Sequence, residues 1–375
     1  MLRVLLIHNR YRDEAGEERA VSQIAVLLAE RGHQVERLER SSAGLVRSRA
    51  AYSLVRGGVD PEEIASAVRR SGADVVHAHN LHPLFGWRAL AAAREAGART
   101  ILHLHNYRLF CAVYSCYRDG APCFECHGSN TLPGVAHRCR GSIGEAVAYG
   151  AGLHLQQRHI YAQADRLVAV SEAARKRLVG LGMPAAKAIA LPHFIPAAQV
   201  AASSQADRGT YVLAAGRLVA EKGFETAIAA AREARVPLKI AGTGPDEPRL
   251  RALAQDGGVT FTGWLSAEEL RHVRAGAGAV LVPSRWEEPF GYVALDALAA
   301  GVPVLASDRG GLAEVVGPDS TVPAEDPRAW ARALGELWSD PEARRTRGEA
   351  GLQRVRERFT ENRYYNDLLA LYKRD

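Results

Sequence analysis

The strongest constraint on the fold is a repeated alternation between short apolar runs and longer segments with helical spacing. The apolar run Tyr211–Ala215 is followed by a glycine-containing loop and then by a helical segment, Phe224–Arg235. The chain opens in the same way, with Arg3–Ile7 followed by Ala20–Glu30. Further apolar runs are Val75–His77, Thr100–His103, Pro237–Ala241, Val259–Thr262, Ala279–Val282 and Val302–Ala306. This alternation is typical of parallel sheets covered on both faces, and it predicts an α/β fold with two doubly wound domains.

The domain boundaries follow from the length and from the composition of the loops. A chain of 375 residues has the length of two or three domains, and two fits the pattern. The proline-containing segment Leu191–Pro196 marks the boundary between them. We therefore expect a first domain over residues 1–190, with a cysteine-rich insertion at 111–139, and a second domain over 191–360. Residues 361–375 have an amphipathic helical pattern, and we expect that helix to pack back on the first domain.

The charge of the chain is distributed unevenly. Residues 1–190 carry 25 Lys and Arg against 17 Asp and Glu, a net charge of +8, whereas the remainder carries 23 against 25. The basic half points to an acidic partner such as phosphate, an anionic lipid headgroup or nucleic acid, and a solvated surface is the alternative. No apolar run approaches the ~20 residues of a membrane span, and the chain enters a strand pattern too early for a signal peptide. We expect a cytoplasmic protein with peripheral contact to the inner membrane.

The loop between Gly216 and Gly223 has the composition of an anion-binding site. Arg217 and Lys222 are five positions apart in a loop that follows a strand and precedes a helix. A guanidinium fork and an ammonium point charge suit a diphosphate, and the helix N-terminus adds the positive end of its dipole. Two solvated surface cations are the alternative. The next loop contains Gly242-Thr-Gly244, which either permits close backbone approach to a ligand or forms a simple turn.

A second polar loop follows the apolar run Ala279–Val282. Its candidate residues are Ser284, Glu288, Phe290 and Gly291, and the helix that follows carries Tyr292 and Asp296. Carboxylates at the carboxyl edge of a sheet can accept hydrogen bonds from sugar or ribose hydroxyls, and backbone amides at a helix N-terminus can hold a phosphate.

These motifs, in this order and at this spacing, resemble the second domain of retaining GT-B glycosyltransferases of the large glycogen-synthase-like family, glycosyltransferase family 4. The resemblance extends from Thr210 to about Val316 and rests on Gly216-Arg217, Glu221-Lys222-Gly223, Glu288-x-Phe290-Gly291 with an acid eight positions after Glu288, Ala300–Val304, Gly310-Gly311 and Glu314. The first domain is similar more loosely, at Gly16–Arg19, Arg31–His33, Asp74–Asn80 and His103–Tyr107. The resemblance implies two Rossmann-like domains that face a central cleft. It implies transfer of a sugar from a nucleoside-diphosphate sugar to an acceptor hydroxyl.

The resemblance also implies a role for each motif residue. Arg217 and Lys222 would neutralise the donor diphosphate, so that transfer requires no metal cofactor. Glu288 and His105 would lie at the donor sugar, and Asp296 would bind the ribose hydroxyls. The remaining donor-binding positions are Gly16, Gly216, Gly242, Gly244, Ser284, Phe290, Gly291 and Tyr292. The implied mechanism is front-face attack with the departing phosphate as base.

Two positions depart from the pattern of the family. Asp296 stands where Glu is usual, and its side chain is one methylene shorter. Glu17 stands where a second glycine is commoner, so close backbone approach at that position is in question.

Five histidines of the first half fall at or near predicted strand ends. They are His77, His79, His82, His103 and His105. Their spacing is compatible with a metal site. Their position in strand-end loops instead favours a role at the edge of a binding cleft, where a histidine binds sugar hydroxyls or orders loops. A purely structural role is the other alternative.

All five cysteines lie within the short insertion, with the spacing Cys111-x4-Cys116-x6-Cys123-x2-Cys126-x12-Cys139. In a cytoplasmic chain, a Cys-x2-Cys pair between outlying cysteines favours Zn²⁺ over disulfides. The favoured ligands are Cys111, Cys123, Cys126 and Cys139, although Cys116 or His127 could substitute. Free thiols in a loop are the alternative. The segment from His105 to Cys139 also resembles a subgroup of these transferases linked to surface polysaccharides.

The predicted function is therefore retaining sugar transfer to a saccharide or lipid-linked acceptor in surface polysaccharide or glycoconjugate synthesis. A sugar-nucleotide epimerase on a similar scaffold is one alternative, and it would need no acceptor. A zinc-containing nucleic-acid-binding protein is another. We do not expect a nucleic-acid partner, because no basic cluster is interleaved with stacking aromatic residues.

Overall fold

The computed structural model describes residues 1–10, 16–255 and 258–373. The chain divides into two compact units. The first unit comprises residues 1–116, 123–193 and 364–375, and the second comprises residues 117–122 and 194–363. Within the described residues, the strands form two parallel six-stranded sheets and one two-stranded hairpin, which confirms the predicted α/β class.

The elements alternate as the sequence pattern predicts. The strands are β1 Arg3–Arg10, β2 Gln34–Ser41, β3 Val75–Ala78, β4 Arg99–Leu104, β5 Tyr117–Arg118, β6 Ala121–Pro122, β7 Arg166–Ala169, β8 Ala188–Ala190, β9 Tyr211–Ala215, β10 Leu238–Ala241, β11 Val259–Gly263, β12 Ala277–Val282, β13 Val304–Ser307 and β14 Thr321–Val322. The helices are α1 Gly16–Glu30, α2 Arg47–Arg56, α3 Pro61–Ser71, α4 Gly86–Glu95, α5 Leu132–Ala136, α6 Ile143–Gln163, α7 Glu172–Gly180, α8 Phe224–Ala234, α9 Glu247–Leu253, α10 Ala267–Ala275, α11 Tyr292–Ala299, α12 Leu312–Val316, α13 Pro327–Ser339, α14 Pro341–Arg358 and α15 Glu361–Tyr372.

The sheet of the first unit has the strand order β2-β1-β3-β4-β7-β8. Strands β3 and β4 are buried along their whole length, because helices cover both faces of the sheet and a continuous apolar run has no solvent face. The chain order reverses between β1 and β3, so the loops that follow these two strands diverge and leave a crevice at the carboxyl edge.

The sheet of the second unit has the equivalent order β11-β10-β9-β12-β13-β14, and its chain order reverses between β9 and β12. Its core contains Val212, Ile240 and Leu281 from the strands, together with Phe224 of α8 and Trp330 of α13. Burial of such side chains contributes about 1.5–3 kcal/mol each and fixes the strand ends from which the polar loops emerge.

Helix α15 begins in the second unit, and its residues from Tyr364 onward belong to the first. The side chains that share its apolar face are buried, namely Tyr364, Leu368, Leu371 and Tyr372. Its last turn is held by Arg99 of β4, whose Nε donates to the carbonyl oxygen of Leu371 at 3.0 Å. Among the described residues, no helix combines the length and the apolar character that crossing a membrane requires.

Candidate functional site

Two loops meet at the crevice of the second sheet, where the strand order reverses. The loop after β9 turns through a short 3₁₀ segment, Ala220–Lys222, and enters α8 at Gly223 with φ of 68°. A Cβ atom at Gly223 would collide with the carbonyl oxygen of Pro283 in the loop after β12, so glycine permits the contact between the two loops. This packing brings Lys222 close to Glu288.

Glu288 is the most heavily hydrogen-bonded carboxylate of this site. Lys222 Nζ lies 2.8 Å from Glu288 Oε1 and 2.9 Å from Oε2. Ser284 Oγ and Trp286 Nε1 each donate to Glu288 Oε2 at 2.8 Å. The Lys222 ammonium also lies 5.1 Å from the centre of the Trp286 ring, within range of a cation–π interaction. The carboxylate is therefore locked in orientation, and the ammonium is held where an anionic ligand can compete for it.

The structure places the other predicted cation differently. The side chain of Arg217 is 55% exposed, and its Nη2 lies 3.6 Å from Glu221 Oε1. Arg217 thus shares the loop with Lys222 but lies in a more solvated setting, where an ion pair contributes about 0–1 kcal/mol.

The two glycine-containing loops after β9 and β10 pack backbone against backbone. The Gly216 amide donates to the carbonyl oxygen of Ala241 at 2.9 Å, and the Leu218 amide donates to that of Thr243 at 2.9 Å. Gly242 has φ of 135°, and a Cβ there would collide with the carbonyl oxygen of Gly216. At Gly244 a Cβ would meet the Leu218 carbonyl oxygen, so contact between the loops accounts for both glycines.

The remaining predicted residues of this loop surround the start of α11. Gly291 is the N-cap residue, with φ of 112°, and Tyr292 opens the helix. Phe290 is buried and contacts the rings of Tyr292 and Phe359 edge-on, at centroid distances of 5.7 and 6.0 Å. The predicted donor-binding residue Ser284 uses its hydroxyl to orient Glu288.

Asp296 has a partner that sequence reasoning missed. Arg274, at the end of α10, places Nη2 3.4 Å from Asp296 Oδ2, and both side chains are largely buried. No motif connects these residues, because they lie 22 positions apart on different helices. The ion pair with Arg274 holds the Asp296 carboxylate in position, with Oδ2 facing the guanidinium.

The predicted site residues of the first unit lie at the carboxyl edge of its sheet. His105 follows β4, and its Nε2 lies 2.9 Å from His79 Nδ1. Gly16 opens α1, and the adjacent Glu17 is buried, with Asn106 Nδ2 3.4 Å from its Oε2. Burial lowers the pKa of His105 well below the ordinary value for imidazole, so this side chain is neutral at pH 7.

The cysteine insertion brings its thiols near one another. A hydrogen bond from Cys116 lowers the pKa of Cys111 to about 7, and the pKa of Cys126 is raised by burial and by its proximity to Cys111, Cys139 and Cys123. Among the described residues, one group of three side chains has its potential metal-binding atoms within 4.8 Å of one another. It consists of His77, His79 and His103. The cysteines do not form such a group.

Comparison with known proteins identifies the family. Residues 15–199 match the family described as Glycosyltransferase Family 4, and residues 198–354 match Glycosyl transferases group 1. A D-inositol 3-phosphate glycosyltransferase of Salinispora tropica is 30% identical, over 96% of this chain and 81% of its own length.

Solved structures share the fold over nearly the whole chain. Sucrose-phosphate synthase of Thermosynechococcus elongatus has a TM-score of 0.72 at 20% identity and matches over 99% of this chain and 98% of its own. Anabaena HepE, solved with UDP and glucose, has a TM-score of 0.69 at 16% identity and matches over 99% of both chains. The predicted GT-B fold is confirmed. The chain belongs to glycosyltransferase family 4 and is a glycosyltransferase that uses a nucleotide sugar.

Proposed function

We propose that this glycosyltransferase moves a hexosyl or related sugar from its nucleoside diphosphate to an acceptor hydroxyl with retention of anomeric configuration, in surface polysaccharide or glycoconjugate synthesis. The observation that carries the proposal is the Lys222–Glu288 pair at the crevice of the second sheet. In open parallel sheets, ligands bind at this position.

The pair suits a donor with an anionic leaving group and a neutral sugar. When a diphosphate enters, Lys222 can turn from Glu288 to a phosphate oxygen, and the charge that develops on the leaving group is stabilised by a cation already in place. Arg217 and the amides near Gly291 add positive potential. Glu288 keeps its bonds from Ser284 and Trp286 and offers a fixed acceptor to the sugar hydroxyls.

The same hydrogen bonds argue against Glu288 as a nucleophile. A carboxylate that accepts from an ammonium, a hydroxyl and an indole has much of its charge neutralised, which lowers its nucleophilicity. Front-face attack, in which the departing phosphate takes the proton of the acceptor, requires no carboxylate nucleophile. We therefore propose that retention arises from this route.

The first experiment is a thermal-shift panel of nucleoside diphosphates, because a ligand that binds only the folded state stabilises it, and more so the higher its concentration relative to its Kd. The sugar nucleotide of the stabilising base is then incubated with candidate acceptors, and NMR of the product reads the anomeric configuration. A product with the donor configuration supports the proposal. An inverted product would refute retention. Conversion of the nucleotide sugar without an acceptor would favour the epimerase alternative.

We propose that Asp296 binds the ribose, with Arg274 orienting its carboxylate. Asp296→Asn is expected to weaken nucleoside diphosphate binding by about 1–3 kcal/mol, because a charge-assisted hydrogen bond is lost. Calorimetry with the nucleotide and its 2′,3′-dideoxy analogue measures the effect, and the variant should discriminate less between them.

The matched control for this prediction is Arg274→Met, which removes the partner of Asp296 and keeps the carboxylate. If both variants lose stability but discriminate the dideoxy analogue as the wild type does, Asp296 serves the ion pair alone.

We propose a structural Zn²⁺ held by Cys111, Cys123, Cys126 and Cys139. The Cys-x2-Cys pair between outlying cysteines supports the proposal, and the four thiols would have to move closer together than they lie in the structure to bind the ion. Cys123→Ser is expected to remove one Zn²⁺ per chain as measured by elemental analysis, and Cys116→Ser is expected to retain it.

Transfer should continue in EDTA under conditions that leave this Zn²⁺ bound. Equal zinc content in Cys123→Ser and wild type would remove the site. Loss of transfer that Mg²⁺ or Mn²⁺ alone restores would contradict the metal-independent mechanism.

The acceptor proposal rests on the first unit. Its exposed apolar side chains Tyr52 and Val55 on α2 and Ile143 and Val147 on α6 lie on two packed helices, and the exposed Arg47 pairs with Glu145 at 3.0 Å. Exposed apolar side chains in the half of the chain that carries a net charge of +8 suit an anionic membrane surface, so we propose a saccharide or lipid-linked acceptor and peripheral membrane contact.

A further inference from the structure

A stack of histidines lies at the carboxyl edge of the first sheet. Ala78 of β3 pairs with Ile7 of β1 and with Leu102 of β4, so the next residue of each strand stands in one row. That row is His8, His79 and His103, and His77 and His105 lie one step before and one step after it on the same face. The rings of His77 and His79 stack at 4.4 Å between centroids, those of His79 and His103 at 5.5 Å, and those of His103 and His105 at 4.5 Å.

Most of the ring nitrogens in this stack have no hydrogen-bond partner within the protein. They are His77 Nε2, His79 Nε2, His103 Nδ1, His103 Nε2 and His105 Nδ1. These five buried atoms have no hydrogen-bond partner, and an unsatisfied buried polar group is costly to keep. Something other than the side chains present must satisfy them.

A small cavity borders the stack. It has a volume of about 20 Å³ and is lined by His79, His103 and His105, with Glu17 and Asn106 among its other walls. This volume is enough for one water molecule, which needs roughly 10–15 Å³ on the same measure. The cavity is therefore large enough for a water ligand of a metal ion bound beside it.

We propose that His77, His79 and His103 form a binding site for a divalent transition-metal ion of the Zn²⁺ type, with a water in the adjacent cavity as its fourth ligand. One ligand atom from each of the three lies within 4.8 Å of the others. A tetrahedral ion with M–N distances of ~2.1 Å places its ligand atoms ~3.4 Å apart, so nitrogens that lie within 4.8 Å of one another close by up to ~1.4 Å as the rings rotate.

The hydrogen bonds of the stack select the tautomers that such an ion needs. His77 Nδ1 lies 2.8 Å from Tyr372 Oη, and His79 Nδ1 lies 2.9 Å from His105 Nε2. When each Nδ1–H donates to its partner, each Nε2 carries the lone pair that a metal ion requires, as is usual for metal-binding histidines.

Two neighbours of the proposed ion are relevant: a buried carboxylate, which compensates its charge, and His105, which is hydrogen-bonded to one of its ligands. Glu17 on the cavity wall carries a buried carboxylate that opposes the charge of the ion. His105, which we propose to lie at the donor sugar, accepts from His79. An ion on His79 would strengthen that bond and fix the ring of His105, so His79 is a positioning residue.

The test is zinc content after equilibrium dialysis against Zn²⁺, with two phenylalanine variants that keep the ring volume. His103→Phe and His77→Phe are each expected to hold one Zn²⁺ per chain fewer than the wild type, and His272→Asn, an exposed histidine of the second unit, is expected to hold the same number. Addition of Zn²⁺ to metal-free protein should raise the Tm of wild type more than that of His103→Phe. Equal zinc content in all four proteins, or none in the wild type, overturns the site.

X-ray absorption at the zinc edge of Cys123→Ser provides a measurement that needs no histidine variant to fold. A shell of nitrogen and oxygen without sulfur, with imidazole scattering, confirms the histidine site independently of the thiolates. A shell with sulfur, or a protein without zinc, refutes it and leaves a bridging water as the partner of these nitrogens. Zinc content and the absorption edge are measured without sugar transfer, so the proposed function stands or fails separately.

Discussion

Lys222→Met is expected to slow sugar transfer by roughly 30- to 900-fold, equivalent to about 2–4 kcal/mol of transition-state stabilisation. The ammonium is poised beside Glu288 before the donor binds, and its charge is needed most when the diphosphate departs. Methionine preserves the length of the side chain and removes the charge. Single-turnover rates at saturating donor measure the effect on chemistry, and calorimetry with the nucleoside diphosphate measures the effect on binding.

Two further variants serve as a control and a comparison for Lys222→Met. Lys239→Met changes a lysine in the middle of β10, over the ring of Tyr211, and should leave transfer unchanged. Arg217→Met should cost less than Lys222→Met, because Arg217 is more solvated and its charge is better screened. A Lys222→Met enzyme with wild-type rate and affinity would show that this lysine only supports the loop.

The fold was predictable because parallel strands buried on both faces have continuous apolar runs. Tyr211–Ala215 has the same bounds in the sequence pattern and in the structure, β1 extends three residues beyond the predicted Arg3–Ile7, and the other predicted strands shift by one or two residues at their ends. The ends of a strand are determined by hydrogen bonding to the neighbouring strand. The hydrophobic pattern of the sequence does not encode that pairing, so predicted ends shift.

The candidate site was predictable where its residues share a loop. Lys222 and Glu288 were both assigned to the donor, but their mutual salt bridge depends on contact between two loops that are 66 residues apart. The Arg274–Asp296 pair had no sequence signal, because a single cation on one helix and a single acid on another form no pattern. The histidines were recognised as strand-end residues, whereas their stacking follows from the register of β1, β3 and β4.

Glu288→Gln is expected to separate sugar transfer from nucleotide binding. The amide keeps the volume and one acceptor oxygen but removes the charge that holds Lys222. Lys222 is then released to the diphosphate, so affinity for the nucleoside diphosphate should stay the same or rise. Transfer should fall by about 2–3 kcal/mol, because a charged acceptor for the sugar hydroxyls strengthens its bonds as the ring gains positive charge. Calorimetry and initial rates on the same preparations give the two quantities.

A different result would show that Glu288 only supports the loop and does not bind the sugar. If Glu288 only buttresses the loop, Glu288→Gln should weaken nucleotide affinity and slow transfer by the same factor, since both then depend on loop geometry. Glu336→Gln, on the exposed face of α13, controls for the loss of an acidic charge.

The double variant Lys222→Met/Glu288→Gln tests whether the two residues act together. Because Lys222 leaves Glu288 for the diphosphate, the wild type must break the salt bridge, and each single variant is relieved of that cost. The double variant is relieved of it only once, so its loss of transfer should be larger than the sum of the two single losses. A double loss equal to that sum would mean that the two residues do not interact in the donor-free enzyme.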